Sequence, residues 1–141
     1  MKKIYSIISV VFIILALFAC TSRTIYRSDG VFEGRSRSHY TSEPFVGITK
    51  VYISKGIISK IDFQIIDTLN NELFDDKYEK HFVGNDEYIN QCRNDWQGVL
   101  MYPKELLKTQ IIDSVDAVSG ATWSYNIFRS SVEIALGKAD R

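Results

Sequence analysis

The sequence predicts an α+β domain, a small antiparallel sheet with helices packed on one side, and three observations carry that expectation. Two β-branched runs, Phe45 to Ser54 and Ile57 to Ile66, flank a Lys55-Gly56 turn and read as a hairpin. In the stretch Trp123 to Leu136, Tyr125, Phe128, Val132, Ala135 and Leu136 recur at helical spacing, so one apolar face should lie on the sheet. A second helical pattern, Asp86 to Trp96, places Tyr88, Ile89, Cys92 and Trp96 on one face.

At the amino end, Lys2 and Lys3 precede an apolar run from Ile8 to Phe18 that stops at Ala19-Cys20. A charged start, a short apolar core and a small residue before the break describe an export signal, and the core is too short for a comfortable membrane span. Leu17-Phe18-Ala19-Cys20 resembles a bacterial lipobox, which would make Cys20 the lipidated first residue of an extracytoplasmic, membrane-anchored lipoprotein. An uncleaved anchor and cleavage at a neighbouring bond are the alternatives. The expected organisation is a signal peptide over 1–19, a polar tether over 20–28 and a domain over 29–141. Roughly 120 residues remain after cleavage, enough for one core and not for two.

Charge and cysteine content narrow the function. Lys+Arg and Asp+Glu number 17 each, and the signal removes two lysines and no acid, so the mature chain is slightly acidic. Its basic residues are scattered, with no stripe of interleaved aromatics, which argues against a nucleic-acid partner. Acylation of Cys20 would leave Cys92 without a partner in the chain, so no intramolecular disulfide is expected. Cys92 reads as a half-buried small hydrophobe rather than a reactive thiol.

Along the domain, order begins at Asp29-Gly30, and Val31 to Tyr40 is the first strand. The hairpin follows, its register expected to be well fixed by alternation. Asp67 to Gly84 is polar, with Asn70-Asn71 and Asp75-Asp76 as turn signals, and is expected to be a long excursion over the sheet. The helix from Asp86 is expected to end at Gly98. Leu100 to Tyr102 would then be a short extended piece, and Pro103 would open a short helix through Lys108.

Chemistry concentrates at residues 116–124. Asp116-Ala-Val-Ser-Gly-Ala-Thr122 runs straight into the last helix, where first-turn N–H groups lack partners and carry partial positive charge. Gly120 and Ala121 are small enough for an anion to approach, and Ser119, Thr122 and Ser124 add hydroxyls, so the arrangement suits a phosphate. Asp116 would repel such a ligand. The structural alternative is that Ser119 and Thr122 simply cap the helix. His39 and His81 have no second ligand at metal spacing, and the acids Asp75, Asp76, Glu79, Asp86 and Glu87 read as solvated faces. No metal site, nucleophilic triad or paired-carboxylate arrangement is legible, so no catalytic residue is assigned.

Asp29-Gly-Val-Phe-Glu-Gly34, the Val51 to Ile61 segment with its Lys55-Gly56-Ile57 turn, and Val115-Asp-Ala-Val-Ser-Gly-Ala-Thr-Trp-Ser124 resemble, in this order, the FMN-binding domain family. That family includes flavin-carrying subunits of ion-pumping NADH:quinone oxidoreductases and small exported lipoproteins. The resemblance implies FMN joined through a phosphoester to Thr122 by a separate flavin transferase with FAD as donor. Asp116, Ser119, Gly120, Ala121 and Thr122 would be the transferase's target. The resemblance further implies an electron carrier rather than a stand-alone enzyme, working with redox partner proteins or a membrane electron-transfer complex.

A threonine hydroxyl is a weak nucleophile, so this chain would supply the acceptor and the transferase the catalysis. The flavin ring, flat and apolar on both faces, would seek an aromatic platform, for which Trp123, Tyr125 and Tyr102 are candidates; Trp123 reads equally as core. Two further functional readings stand beside the covalent carrier: a module that binds FMN without a covalent bond, and a cofactor-free lipoprotein that binds a protein partner.

Overall fold

The computed structural model describes residues 26–36 and 43–140. The signal segment, Cys20, most of the tether, the end of the first expected strand and His39 lie outside them. Four strands, β1 (Gly30–Ser36), β2 (Phe45–Ser54), β3 (Ile57–Asp67) and β4 (Glu72–Leu73), form one antiparallel sheet in the order β1-β2-β3-β4. Two helices, α1 (Asp86–Thr109) and α2 (Thr122–Ala139), complete an α+β architecture, with 3-10 turns at Tyr78–Phe82 and Ile112–Ser114.

The β2–β3 hairpin closes at Lys55-Gly56, where both residues have positive φ, 56° and 68°. This is the turn geometry that matches strand twist, and Lys55 occupies it against ordinary preference. Asp29 is the reason. Its carboxylate accepts the N–H groups of Lys55 (2.8 Å) and Gly56 (2.9 Å), and those bonds hold the carboxyl below its ordinary value. Register shifts by one residue between Tyr52 and Ile53, where Ile53 pairs with Ile58 while Val51 pairs with Ile61. The irregularity turns both Ile58 and Ile61 toward the core although their sequence separation is odd, a parity that simple alternation did not anticipate.

Helix α2 lies across β1 and β2 at a distance set by glycines. A Cβ on Gly34 would stand 1.9 Å from the Ser131 carbonyl oxygen, and one on Gly47 would stand 2.4 Å from Ile127. The helix side is correspondingly small and polar there: Thr49 and Ser131 hydroxyls share a hydrogen bond of 2.6 Å, and Ser36 bonds Ser130. The buried surface of α2 is therefore wider than its apolar stripe. Phe128, Val132, Ala135 and Leu136 are buried as periodicity predicts, but Ile127, Ser130 and Ser131 join them and Tyr125 is only half-buried.

Helix α1 corrects the sequence reading most. It runs unbroken through Gly98 and Pro103, replacing the expected stop, extended piece and second short helix by 24 continuous residues. Gly98 marks a crossing point instead of an end: a Cβ there would lie 2.8 Å from Ser124 Oγ and 3.0 Å from Ala121 Cβ, both on the α2 side. Packing on β3 and α2 outweighs the hydrogen bond that Pro103 cannot donate. The helix stops at Gln110, which adopts φ 65° and donates its N–H to Leu106 O at 2.7 Å. Its side chain then pairs with β3, accepting from Ile58 N–H at 2.8 Å and donating to Ile58 O at 3.0 Å.

The 67–84 excursion folds over the end of the sheet opposite the hairpin turn. It brings Phe74 and Tyr78 into a second core cluster with Ile65, Cys92, Val99 and Ile127. The close approach at Gly34 makes a direct test. Gly34→Ala should destabilise the domain by about 1–3 kcal/mol, read as a lower urea midpoint at unchanged slope. An unchanged midpoint would show that α2 can lift from the sheet at no cost.

Candidate functional site

The residues from Val118 to Ser124 form a tight turn leading into α2, and side chains of α1 brace it. Tyr102, 1% exposed, donates its hydroxyl to Ala121 O (2.8 Å) and accepts from Val118 N–H (3.2 Å), bridging the two ends of the turn. Ala121 N–H donates to Val118 O at 2.9 Å. Gly120 has φ 78°, and a Cβ there would meet the Asn94 side chain at 2.8 Å, so the turn needs glycine for both backbone and space.

The cap of α2 comes from a distant residue. Asp95, in the middle of α1, accepts the Ser124 N–H at 3.0 Å and the Ser124 hydroxyl at 2.9 Å. Gln91, one turn earlier, donates to Asp95 at 2.7 Å and to Gly120 O at 2.7 Å. The side chains of Ser119 and Thr122, candidates for capping, make no hydrogen bond to any described residue, and the position before the helix is Ala121, with no side-chain cap. Both hydroxyls are exposed. Ala121 is fully buried and Asp116 is exposed.

Ser124 stands elsewhere than a phosphate ligand would. It is fully buried, and its N–H and hydroxyl are both committed to Asp95, because α1 crosses α2 at Gly98 directly over this residue. The available first-turn donors are the N–H groups of Thr122 and Trp123, which no carbonyl of the described chain accepts.

Beside this turn lies a cavity of about 460 Å³, within the range of small-ligand sites. Its walls are aromatic: Phe45 from β2, Phe74, Tyr78 and Phe82 from the 67–84 excursion, Tyr88 from α1 and Trp123 from α2. Trp123 stands edge-on to Phe45, with centroids 5.0 Å apart, and lies 5.2 Å from Phe74, so it belongs to the second core and to the cavity wall at once. Its indole N–H donates to Glu43 at 3.0 Å. Of the three aromatic platforms suggested by the sequence, Trp123 alone lines this cavity. Tyr102 is buried beneath the turn, and Tyr125 directs its hydroxyl to Val115 O at 2.8 Å.

Asp67, Asp95 and Glu43 supply the cavity's carboxylates. Burial alone would raise the Asp67 carboxyl, but hydrogen bonds from Tyr78, from the Asn70 side chain and from the N–H groups of Asn70 and Leu69 outweigh it and hold the group below the usual carboxylate range. Burial and the Asp67 charge push the Tyr78 phenol upward. Cys92 faces the same space; burial pushes its thiol up to about 11, which keeps it an unreactive thiol at neutral pH. Among the described residues no group of three His, Cys, Asp or Glu could hold a metal ion, and His81 Nε2 lies 2.9 Å from Glu72.

Five of the six aromatic wall residues were not identified from sequence as site residues. Four come from β2 and the 67–84 excursion, where polar composition hid widely spaced Phe74, Tyr78 and Phe82, and Tyr88 read as part of a helix face. The clustering of these rings before a helix was the available signal.

The Asp67 bonds make stability pH-dependent in a defined direction. A folded-state carboxyl that titrates below its unfolded value of about 3.9 contributes stability that is present above that pH and is lost as pH falls through the lower folded value. The gap in urea midpoint between wild type and Asp67→Asn should therefore be largest near about pH 7 and shrink below about pH 4. A gap constant across that range would mean that the carboxylate charge plays no part.

No family model matches this chain, and no curated protein matches it. The fold is similar to that in the crystal structure of the CPE2226 protein from Clostridium perfringens, with a TM-score of 0.58 and 20% sequence identity over 79% of this chain and 88% of that one. At that identity the likeness concerns the fold alone.

Proposed function

We propose that this protein is an extracytoplasmic, membrane-tethered flavoprotein that carries FMN by a phosphoester to Thr122 and passes electrons between redox partners. The observation that carries the reading is a juxtaposition: an exposed threonine whose hydroxyl has no partner among the described residues stands on the first residue of α2, one position before Trp123, which lines an aromatic cavity of about 460 Å³. It stands within the complete Asp116 to Ser124 motif that resembles the flavin attachment element of the FMN-binding domain family.

The residues present fit such a group. Phe45, Phe74 and Trp123 offer apolar surface for a flat ring, and exposed Thr122, the residue before Trp123, offers the attachment oxygen. The N–H groups of Thr122 and Trp123, at the positive end of α2, are available to a phosphate. Tyr102, Gln91 and Asp95 hold the turn so that Thr122 stays exposed while its neighbours Ala121 and Ser124 are buried. Bound flavin would supply reversible electron acceptance; the chain would attach it, shield its faces and leave an edge open near exposed Glu43 and Tyr88.

Asp95 also favours covalent over purely non-covalent retention. One anion already occupies the first turn of α2, so a second would be gripped less firmly by hydrogen bonds alone. A phosphoester needs no such net attraction.

Coexpression of the full chain with a flavin transferase tests the reading. The mature protein should gain one FMN mass and stay fluorescent in a denaturing gel, and Thr122→Ala should lose both while keeping its unfolding midpoint, since Thr122 is exposed. Flavin released on denaturation would favour the non-covalent module. A colourless, unmodified protein would favour a cofactor-free, partner-binding lipoprotein and remove the proposal.

A further inference from the structure

Two carboxylates on the cavity wall have no cationic partner among the described residues. Asp67, 2% exposed, accepts four hydrogen bonds: from the N–H groups of Leu69 (2.8 Å) and Asn70 (3.2 Å), the Asn70 amide (2.7 Å) and the Tyr78 hydroxyl (2.7 Å). Asp95, 3% exposed, accepts three, from the Ser124 N–H, the Ser124 hydroxyl and the Gln91 amide. Neither takes part in an ion pair among the described residues.

Every donor to these two groups is neutral. Neutral dipoles keep a buried carboxylate ionised, but they leave its net charge in place. The two acids come from different elements, the end of β3 and the middle of α1, and line the same aromatic cavity. Both carboxylates are themselves buried, and a charge in such surroundings acts more strongly than one in bulk water. The amino end of α2 works the other way, with about half a positive charge, yet Asp95 sits on that end with a full negative one.

We propose that Asp67 and Asp95 lower the reduction potential of a flavin held in this cavity below that of free FMN, so that the loaded protein is a low-potential carrier served by a strongly reducing electron-carrier donor. The inference rests on the function proposed above. Above neutral pH, reduction moves two electrons from the donor and one proton from water into the ring, so the ring gains one negative charge while the donor loses two electrons. Fixed negative charge in the wall disfavours the more negative state. The same charges leave the oxidised, neutral ring almost unaffected, and the difference is what a potential measures.

The experiment is a reductive titration of the flavin-loaded mature protein with dithionite against indicator dyes, with free FMN in the same buffer. Wild type should titrate below free FMN. Asp67→Asn and Asp95→Asn should each raise the reduced-to-oxidised ratio at the wild-type midpoint about tenfold, which is about 30 mV for a two-electron couple. Glu133→Gln, on the solvent side of α2, should leave the midpoint in place. If one Asp variant fails to fold, the comparison of wild type with free FMN and the other variant still decide. A loaded protein at or above the free FMN potential, or one unmoved by both substitutions, overturns this inference and leaves flavin attachment standing. A chain that takes up no flavin removes both.

Discussion

A buried carboxylate holds the amino end of α2 in place. Asp95 projects from the middle of α1 and accepts the N–H and hydroxyl of Ser124, so the first turn of α2 is capped by another helix and not by its own preceding residues. Gln91 ties the same carboxylate to the Gly120 carbonyl. Removing either partner of such a pair strands a desolvated group, which costs about 1–3 kcal/mol or more when the group is charged. The crossing of α1 over α2 at Gly98 and the 118–121 turn braced by Tyr102 bring Ser124 to that carboxylate.

The crossing also explains why small residues appear where they do. Gly98 lets α1 approach Ala121 and Ser124, while Gly34 and Gly47 let α2 approach the sheet. With three close approaches, α2 has little freedom to rotate or slide, and its amino end is fixed relative to β2 and α1 together. The aromatic cavity sits in the gap these elements leave, closed by the 67–84 excursion, whose Phe74 and Tyr78 anchor it to the core. Core and cavity thus share rings, and Trp123 belongs to both.

That sharing bears on what the site can do. An aromatic wall continuous with a packed core does not rearrange at low cost, so a flat ring would meet a preformed surface. The polar groups of the wall are equally committed: Glu43 accepts from Trp123, Asp67 from four donors and Asp95 from three. The cavity therefore offers shape, dispersion contact and fixed negative charge, with the exposed hydroxyls of Ser119 and Thr122 outside it.

Local chemistry determined much of the protein from sequence alone. Alternating β-branched residues around Lys55-Gly56 dictated the hairpin, and the periodicity of Phe128, Val132, Ala135 and Leu136 dictated the last helix and most of its buried face, because each signal lies within one element. The Ser119 to Thr122 segment was legible as a helix start for the same reason. The continuity of α1 was not, since Gly98 and Pro103 carry the local marks of interruption and only packing against Ala121, Ser124 and β3 overrides them. Nor could the chain reveal that Asp95 caps Ser124 across 29 positions, that Ser124 is thereby withdrawn from the surface, or that rings from β2, the excursion and two helices meet in one wall. Those facts depend on contacts between residues far apart in sequence, which no local pattern encodes.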